Sequence, residues 1–131
     1  MNILLLIAHG SRREESNLEI ESLVKKITSL DNEEFDSVIH GFLEFASPNI
    51  EEAIQNCSDM GASSVTILPY FLSAGVHITR DIPEEISKAY AKNPNLKIKI
   101  ANYFGSRDEI AEILIKTALA VSYTHLRAHE T

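Results

Sequence analysis

The chain has 131 residues, 44% of them apolar, which suits one domain with a single buried core. Its net charge of −7, from 12 Lys and Arg against 19 Asp and Glu, argues against a nucleic-acid binder, which needs a basic face to neutralise phosphates. No apolar run approaches the roughly 20 residues that span a bilayer, and the lone Cys57 has no intramolecular disulfide partner, which fits a reducing cytoplasm.

Ile3 to Ala8 is continuously apolar, as expected of a parallel strand buried on both faces. Without a basic segment before it or a small-residue cleavage site after it, it is expected to be a strand rather than a signal peptide. Ser11 and Glu14 have capping-box spacing at the start of a first helix. Ile20, Leu23, Val24 and Ile27 form that helix's apolar stripe. Asp36 to Phe45 is the second predicted strand. Ser47-Pro48 is expected to cap a second helix with Pro at its first position, its inner face Ile50, Ala53, Ile54 and Cys57 and its stop Gly61. Val65 to Tyr70 is the third predicted strand. A third helix begins near Asp81 and carries Ile82, Ile86, Ala89 and Tyr90 on one face.

Leu96 to Ala101 is the fourth predicted strand, and its alternation with Lys97 and Lys99 places it near a sheet edge. Ser106 and Glu109 repeat the capping-box spacing before a last helix with Ile110, Ile113 and Leu114. Strand and helix alternate throughout. This predicts an α/β domain over residues 1–121: an open, mostly parallel four-stranded sheet with helices on both faces, in a flavodoxin-type winding. Residues 122–131 break the pattern and are expected to be a non-native or disordered tail. His125 and His129 have a metal-binding i, i+4 spacing there, but a frayed terminus does not preorganise ligands.

In such a sheet, ligands bind beyond the carboxyl ends of the strands. The three loops leaving those ends carry His9, Glu44 and His77, which places all three on one rim. Neutral imidazoles suit borderline divalent metals such as cobalt, iron or nickel, and a carboxylate beside them can take a proton or anchor a ligand. Singly, each residue has a plainer reading as a solvated or hydrogen-bonded side chain; their shared placement favours a metal site. Gly10 and Gly75 sit at strand exits, where glycine supplies positive φ or lets backbone approach a flat ligand. Phe71, Leu72 and Val76 are either core or an apolar floor beneath such a ligand. Arg12 and Arg13 stand at a helix start, where the dipole disfavours cations. With Arg80, they are candidate partners for an acidic ligand. Dinucleotide-binding and P-loop glycine patterns are absent from the sequence. Ala8 stands where a histidine phosphatase needs arginine, and Ser11 lacks the glycines of a nucleophile elbow.

His9-Gly10-Ser11-Arg12, and Pro69-Tyr70-Phe71-Leu72-Ser73-Ala74-Gly75-Val76-His77 followed by Asp81-Ile82-Pro83, resemble the small class II tetrapyrrole chelatases of the CbiX/SirB family. The resemblance runs over residues 1–120. It implies a chelatase-like fold and a lyase that inserts cobalt or iron, in some members nickel, into sirohydrochlorin during siroheme and cobalamin biosynthesis. The metal is then a substrate (Co2+, Fe2+ or Ni2+), with no permanent cofactor. By the same resemblance His9 is a metal-binding proton acceptor, His77 the second metal ligand, and Glu44 a further catalytic and substrate-contacting group. Phe71, Leu72, Ser73, Ala74, Gly75, Val76 and Arg12 would line the macrocycle. Short members of the family resemble one half of the longer ones and pair as homodimers, so a cytoplasmic homodimer binding neither nucleic acid nor membrane is expected. Two other readings use the same residues: a non-catalytic carrier of metal or tetrapyrrole, and a plain flavodoxin-like interaction domain with two structural histidines.

Overall fold

The computed structural model describes residues 1–121; the tail over 122–131, with His125 and His129, lies outside the described residues. The elements are β1 (Asn2–Ala8), α1 (Glu14–Thr28), β2 (Ser37–Phe42), α2 (Ile50–Asp59), β3 (Ser64–Pro69), α3 (Ile82–Lys92), β4 (Lys97–Ile100) and α4 (Glu109–Leu119). A π-helical turn, His77–Asp81, leads into α3, and a 3-10 turn, Phe104–Ser106, precedes α4. The strands pair in parallel in the order β2-β1-β3-β4, with β4 at an edge. The chain winds outward from β1 to β2, then crosses back to β3 and on to β4. The order therefore reverses between β1 and β3, and the loops leaving those two strands diverge there, opening a crevice.

The core follows from the pleat. Ile3, Leu5 and Ile7 of β1 and Val65 and Ile67 of β3 point to one face. There they meet Ile50, Ala53, Ile54 and Cys57 of α2 and Ile82, Ile86 and Ala89 of α3. Each fully buried aliphatic side chain contributes about 1.5–3 kcal/mol, so this cluster fixes both helices and the strand ends above them. Along β2, α1 packs with Ile20, Leu23, Val24 and Ile27 half-buried, as its stripe predicts.

The helix starts differ from the predicted ones. The N-cap of α1 is Arg13, with no side-chain cap; the Ser11 hydroxyl instead accepts from the Arg13 N–H at 3.0 Å. Asn17 fastens Ser11 from both sides, accepting from its N–H at 3.0 Å and donating to its carbonyl at 2.8 Å. The cap of α2 is Asn49, not Ser47. Its side chain accepts from Glu52 N–H at 2.8 Å while Glu52 accepts from the Asn49 N–H at 3.0 Å. Pro48 lies outside the helix because its carbonyl accepts from the Phe42 N–H at 2.8 Å, extending the sheet. Before α4, the Ser106 hydroxyl donates to the Tyr103 carbonyl and Asp108 becomes the N-cap. Of the stripe on α4 only Ile110 is partly covered; Ile113, Leu114 and Ile115 stand in solvent. Among the described residues, no helix is long and apolar enough to cross a membrane.

Candidate metal centre

The loop after β1 turns at once. Gly10 has φ +92°, and a Cβ there would stand 1.8 Å from the Glu44 carbonyl oxygen. Only glycine permits both the conformation and the approach. That approach continues the β1–β2 pairing past the strands: Leu43 N–H donates to the Ala8 carbonyl at 2.9 Å and Glu44 N–H to the His9 carbonyl at 3.0 Å. Backbone alone thus sets Glu44 beside His9. His77 arrives from the other side of the crevice, at the first residue of the π-helical turn after β3.

One ligand atom from each of His9, Glu44 and His77 lies within 4.8 Å of the other two. The imidazole centroids of His9 and His77 are 4.9 Å apart, and all three side chains are partly open to solvent. The hydrogen bonds fix how the rings are presented. His9 Nδ1 is 3.0 Å from the Gly10 carbonyl, which only accepts, so Nδ1 carries the proton and donates it. His77 Nδ1 donates in the same way to Asp81 Oδ2 at 2.8 Å. Each neutral ring therefore keeps its lone pair on Nε2. His9 Nε2 lies 3.0 Å from Glu44 Oε1. A bare imidazole nitrogen and a carboxylate oxygen at that separation repel each other unless a cation, a proton or a metal ion, lies between them.

The remaining predicted residues fall at different depths. Phe71 packs against the core, its ring centroid 6.4 Å from that of His9 and 6.5 Å from that of His77. From Leu72, 75% exposed, through Ser73, Ala74 and Gly75 to Val76, the loop is open to solvent. Gly75 has neither a positive φ nor any atom within 4 Å of an added Cβ, so the conformational reason expected for a glycine there does not hold. The Arg12 guanidinium lies 4.6 Å above the Phe45 ring, while Arg13 is drawn to Glu15 at 3.7 Å and Arg80 to Asp81 at 3.3 Å.

Two residues at this rim had no site role in the sequence reading, which placed Phe45 at a strand end and Asp81 at a helix start. Phe45 is 51% exposed and adopts φ +66°, a left-handed conformation that costs a bulky residue about 1–2 kcal/mol. Its ring stands 6.1 Å from that of His9. Nothing in the sequence pattern marks it. Asp81 is the other. The His77 hydrogen bond, opposed by partial burial and aided by Arg80, holds its carboxyl below the usual aspartate range. Its i, i+4 spacing from His77 in a helical segment was the available signal.

Comparison with known proteins places this geometry. The CbiX family model matches residues 3–120. The sirohydrochlorin ferrochelatase of Priestia megaterium is 31% identical over 99% of this chain, which spans 47% of that protein's length. The sirohydrochlorin cobaltochelatase of Sulfurisphaera tokodaii is 33% identical over 85% of this chain and 86% of its own length. The crystal structure of the sirohydrochlorin chelatase SirB from Bacillus subtilis subspecies spizizenii in complex with cobalt superposes with a TM-score of 0.77. It is 26% identical, over 85% of this chain and 47% of that one.

Proposed function

The chain belongs to the CbiX family, and from that premise we propose that it inserts a divalent metal, cobalt or iron and in a further case nickel, into sirohydrochlorin. The observation that carries the proposal is the convergence of one ligand atom from each of two imidazoles and a carboxylate within 4.8 Å of one another at an open rim. The site is open enough for a large flat substrate to lie across it, and imidazole nitrogen suits a borderline divalent metal.

A hydrated M2+ exchanges water for His9 and His77. The macrocycle settles on the exposed apolar segment Leu72–Val76, with Phe71 beneath and Phe45 and Arg12 at the opposite lip. Arg12, which makes no ion pair among the described residues, meets one of its carboxylates. Two pyrrole protons leave as the metal enters. Glu44 and His9, 3.0 Å apart, receive them, and release of His9 from the metal frees its Nε2 for that purpose.

Anaerobic incubation with sirohydrochlorin and Co2+, Fe2+ or Ni2+ tests this reading and identifies the metal. Insertion beyond one equivalent per chain supports the enzyme. Stoichiometric binding without turnover indicates a carrier, and absence of binding a plain interaction domain.

A second copy of the chain completes the reading. Ile113, Leu114 and Ile115 leave apolar surface of α4 uncovered, Leu114 being 63% exposed, and a homodimer that covers the side bearing Ile113 and Leu114 reduces its cost in water. Sedimentation of the wild type and of Leu114→Lys tests it: a wild-type dimer that the substitution dissociates is expected, and a wild-type monomer refutes it. The buried, unpaired Cys57 and the acidic surface suit a cytoplasmic protein that binds neither nucleic acid nor membrane.

A further inference from the structure

We infer that Asp81 is a positioning residue for metal capture: it holds His77, a member of the cluster with His9 and Glu44, in the Nδ1–H form that leaves the lone pair on Nε2. The inference rests on the chelatase reading of the site and concerns a residue outside the His9–Glu44–His77 cluster.

The two imidazoles are held by different means. His9 Nδ1 donates to the carbonyl of the adjoining residue Gly10, an acceptor that no side-chain substitution removes. His77 follows the exposed segment Leu72–Val76. Its ring stands 4.9 Å from that of His9 and 6.5 Å from that of Phe71, centroid to centroid, and its Nδ1 meets no backbone acceptor among the described residues. Its Nδ1–H finds Asp81 Oδ2 at 2.8 Å, and the other carboxylate oxygen takes the Arg80 Nε–H at 3.3 Å. Asp81 is in turn joined to Ile82, 1% exposed and part of the core beneath the sheet ends. The Ile82 N–H donates to the His77 carbonyl, closing the π-helical turn that carries both residues. The route of support runs from core to Ile82, from Ile82 to Asp81, and from Asp81 to the His77 ring.

The consequence is tautomeric. A free neutral imidazole has no fixed choice between its two N–H forms, and the hydrogen bond made by one nitrogen decides which form is present. With Asp81 accepting from Nδ1, Nε2 is free to bind a cation without first losing a proton. Carboxylates that hold metal-binding histidines in this way are worth roughly 10–100-fold in metal affinity.

The test uses the whole chain and needs no turnover for its first readout. Long-range 1H–15N spectra at about pH 8.5, where unperturbed histidines are neutral, report the tautomer of His77 directly. Nδ1–H is expected in the wild type, and an Nε2–H wild-type signal overturns the inference without any variant. In Asp81→Ala the population shifts toward Nε2–H. Asp81→Asn, which keeps a carbonyl acceptor, retains more of the Nδ1–H form. Titration with Co2+ alone, followed by visible absorption, should show affinity falling roughly 10–100-fold in Asp81→Ala and less in Asp81→Asn. In steady state the KM for metal rises while the KM for sirohydrochlorin stays. Unchanged tautomer and cobalt affinity in a folded Asp81→Ala refute the positioning role. A wild type that binds cobalt without inserting it refutes the chelatase reading, and the two failures are distinguishable.

Discussion

Gly10→Ala perturbs the contact that sets Glu44 beside His9, and three glycines allow its cost to be separated into parts. Gly61 has φ +90° with nothing within 4 Å of an added Cβ, so Gly61→Ala bears the left-handed cost alone, about 1–2 kcal/mol. Gly75 has neither constraint, so Gly75→Ala should leave stability unchanged or raise it by roughly 0.5 kcal/mol through the unfolded chain. Gly10 combines φ +92° with a Cβ placed 1.8 Å from the Glu44 oxygen, and backbone must give way by roughly an ångström or more. That displacement strains the two hydrogen bonds joining Leu43 and Glu44 to Ala8 and His9, each worth about 1 kcal/mol. Gly10→Ala is therefore expected to cost about 3–4 kcal/mol, or roughly 10–15 °C in Tm. Urea melts of the three variants measure the series. Cobalt titration of Gly10→Ala below its melting range should show weakened binding, because Glu44 is carried away from His9. If Gly10→Ala costs no more than Gly61→Ala, the close approach is not what holds the loops together.

His9→Ala and His77→Ala should each abolish metal insertion, read as the absorbance change of sirohydrochlorin, with Tm within a few degrees of wild type because both rings are partly exposed. Phe45→Gly removes left-handed strain and should hold or raise Tm while raising the KM for sirohydrochlorin; an unchanged KM removes Phe45 from the substrate face. Cys57 is fully buried and its thiol is pushed up to about 11, so a thiol reagent at neutral pH should label it only as fast as the protein unfolds. Glu51 pairs with Lys92 at 2.8 Å, tying α2 to α3, and that contact lowers its carboxyl pKa. Its stabilisation is fully present above the unfolded glutamate range and is lost as pH falls through the lowered folded value. Glu51→Gln should accordingly reduce the loss of stability on acidification, measured by melts from neutral to acid pH.

Ile3–Ala8 and the stripe of α1 were legible in the sequence because burial on a sheet or against one writes its period directly into the residues. The convergence of His9, Glu44 and His77 was legible for a topological reason: parallel strands deliver their exit loops to one edge, whatever the distance along the chain. Caps were less legible. Ser11, Ser47 and Ser106 have the right chemistry, but their hydroxyls or neighbouring carbonyls are engaged by Arg13, Phe42 and Tyr103, partners that only the folded chain brings near. The same holds for glycine. Gly10 and Gly75 are equivalent in sequence pattern, and only the pairing of loops shows that one is required by geometry and the other is not. Phe45 owes its place to ring packing against His9, which leaves no periodic trace, whereas Asp81 left one in its i, i+4 spacing from His77.

The proposed metal ligands His9 and His77, and Glu44 beside them, follow the ends of β1, β3 and β2, so no two of the three are neighbours until the strands are in register. Metal then binds the folded form and has no comparable site on the unfolded chain. At roughly a hundred times the dissociation constant, that preference adds about 2.7 kcal/mol to folding. A thermal melt with and without cobalt should consequently report the integrity of the pairing among β1, β2 and β3, the proposed substrate doubling as a conformational ligand. If the chain handles metal as proposed, the same linkage predicts that metal depletion lowers its stability and raises its sensitivity to protease, which limited proteolysis with and without cobalt measures.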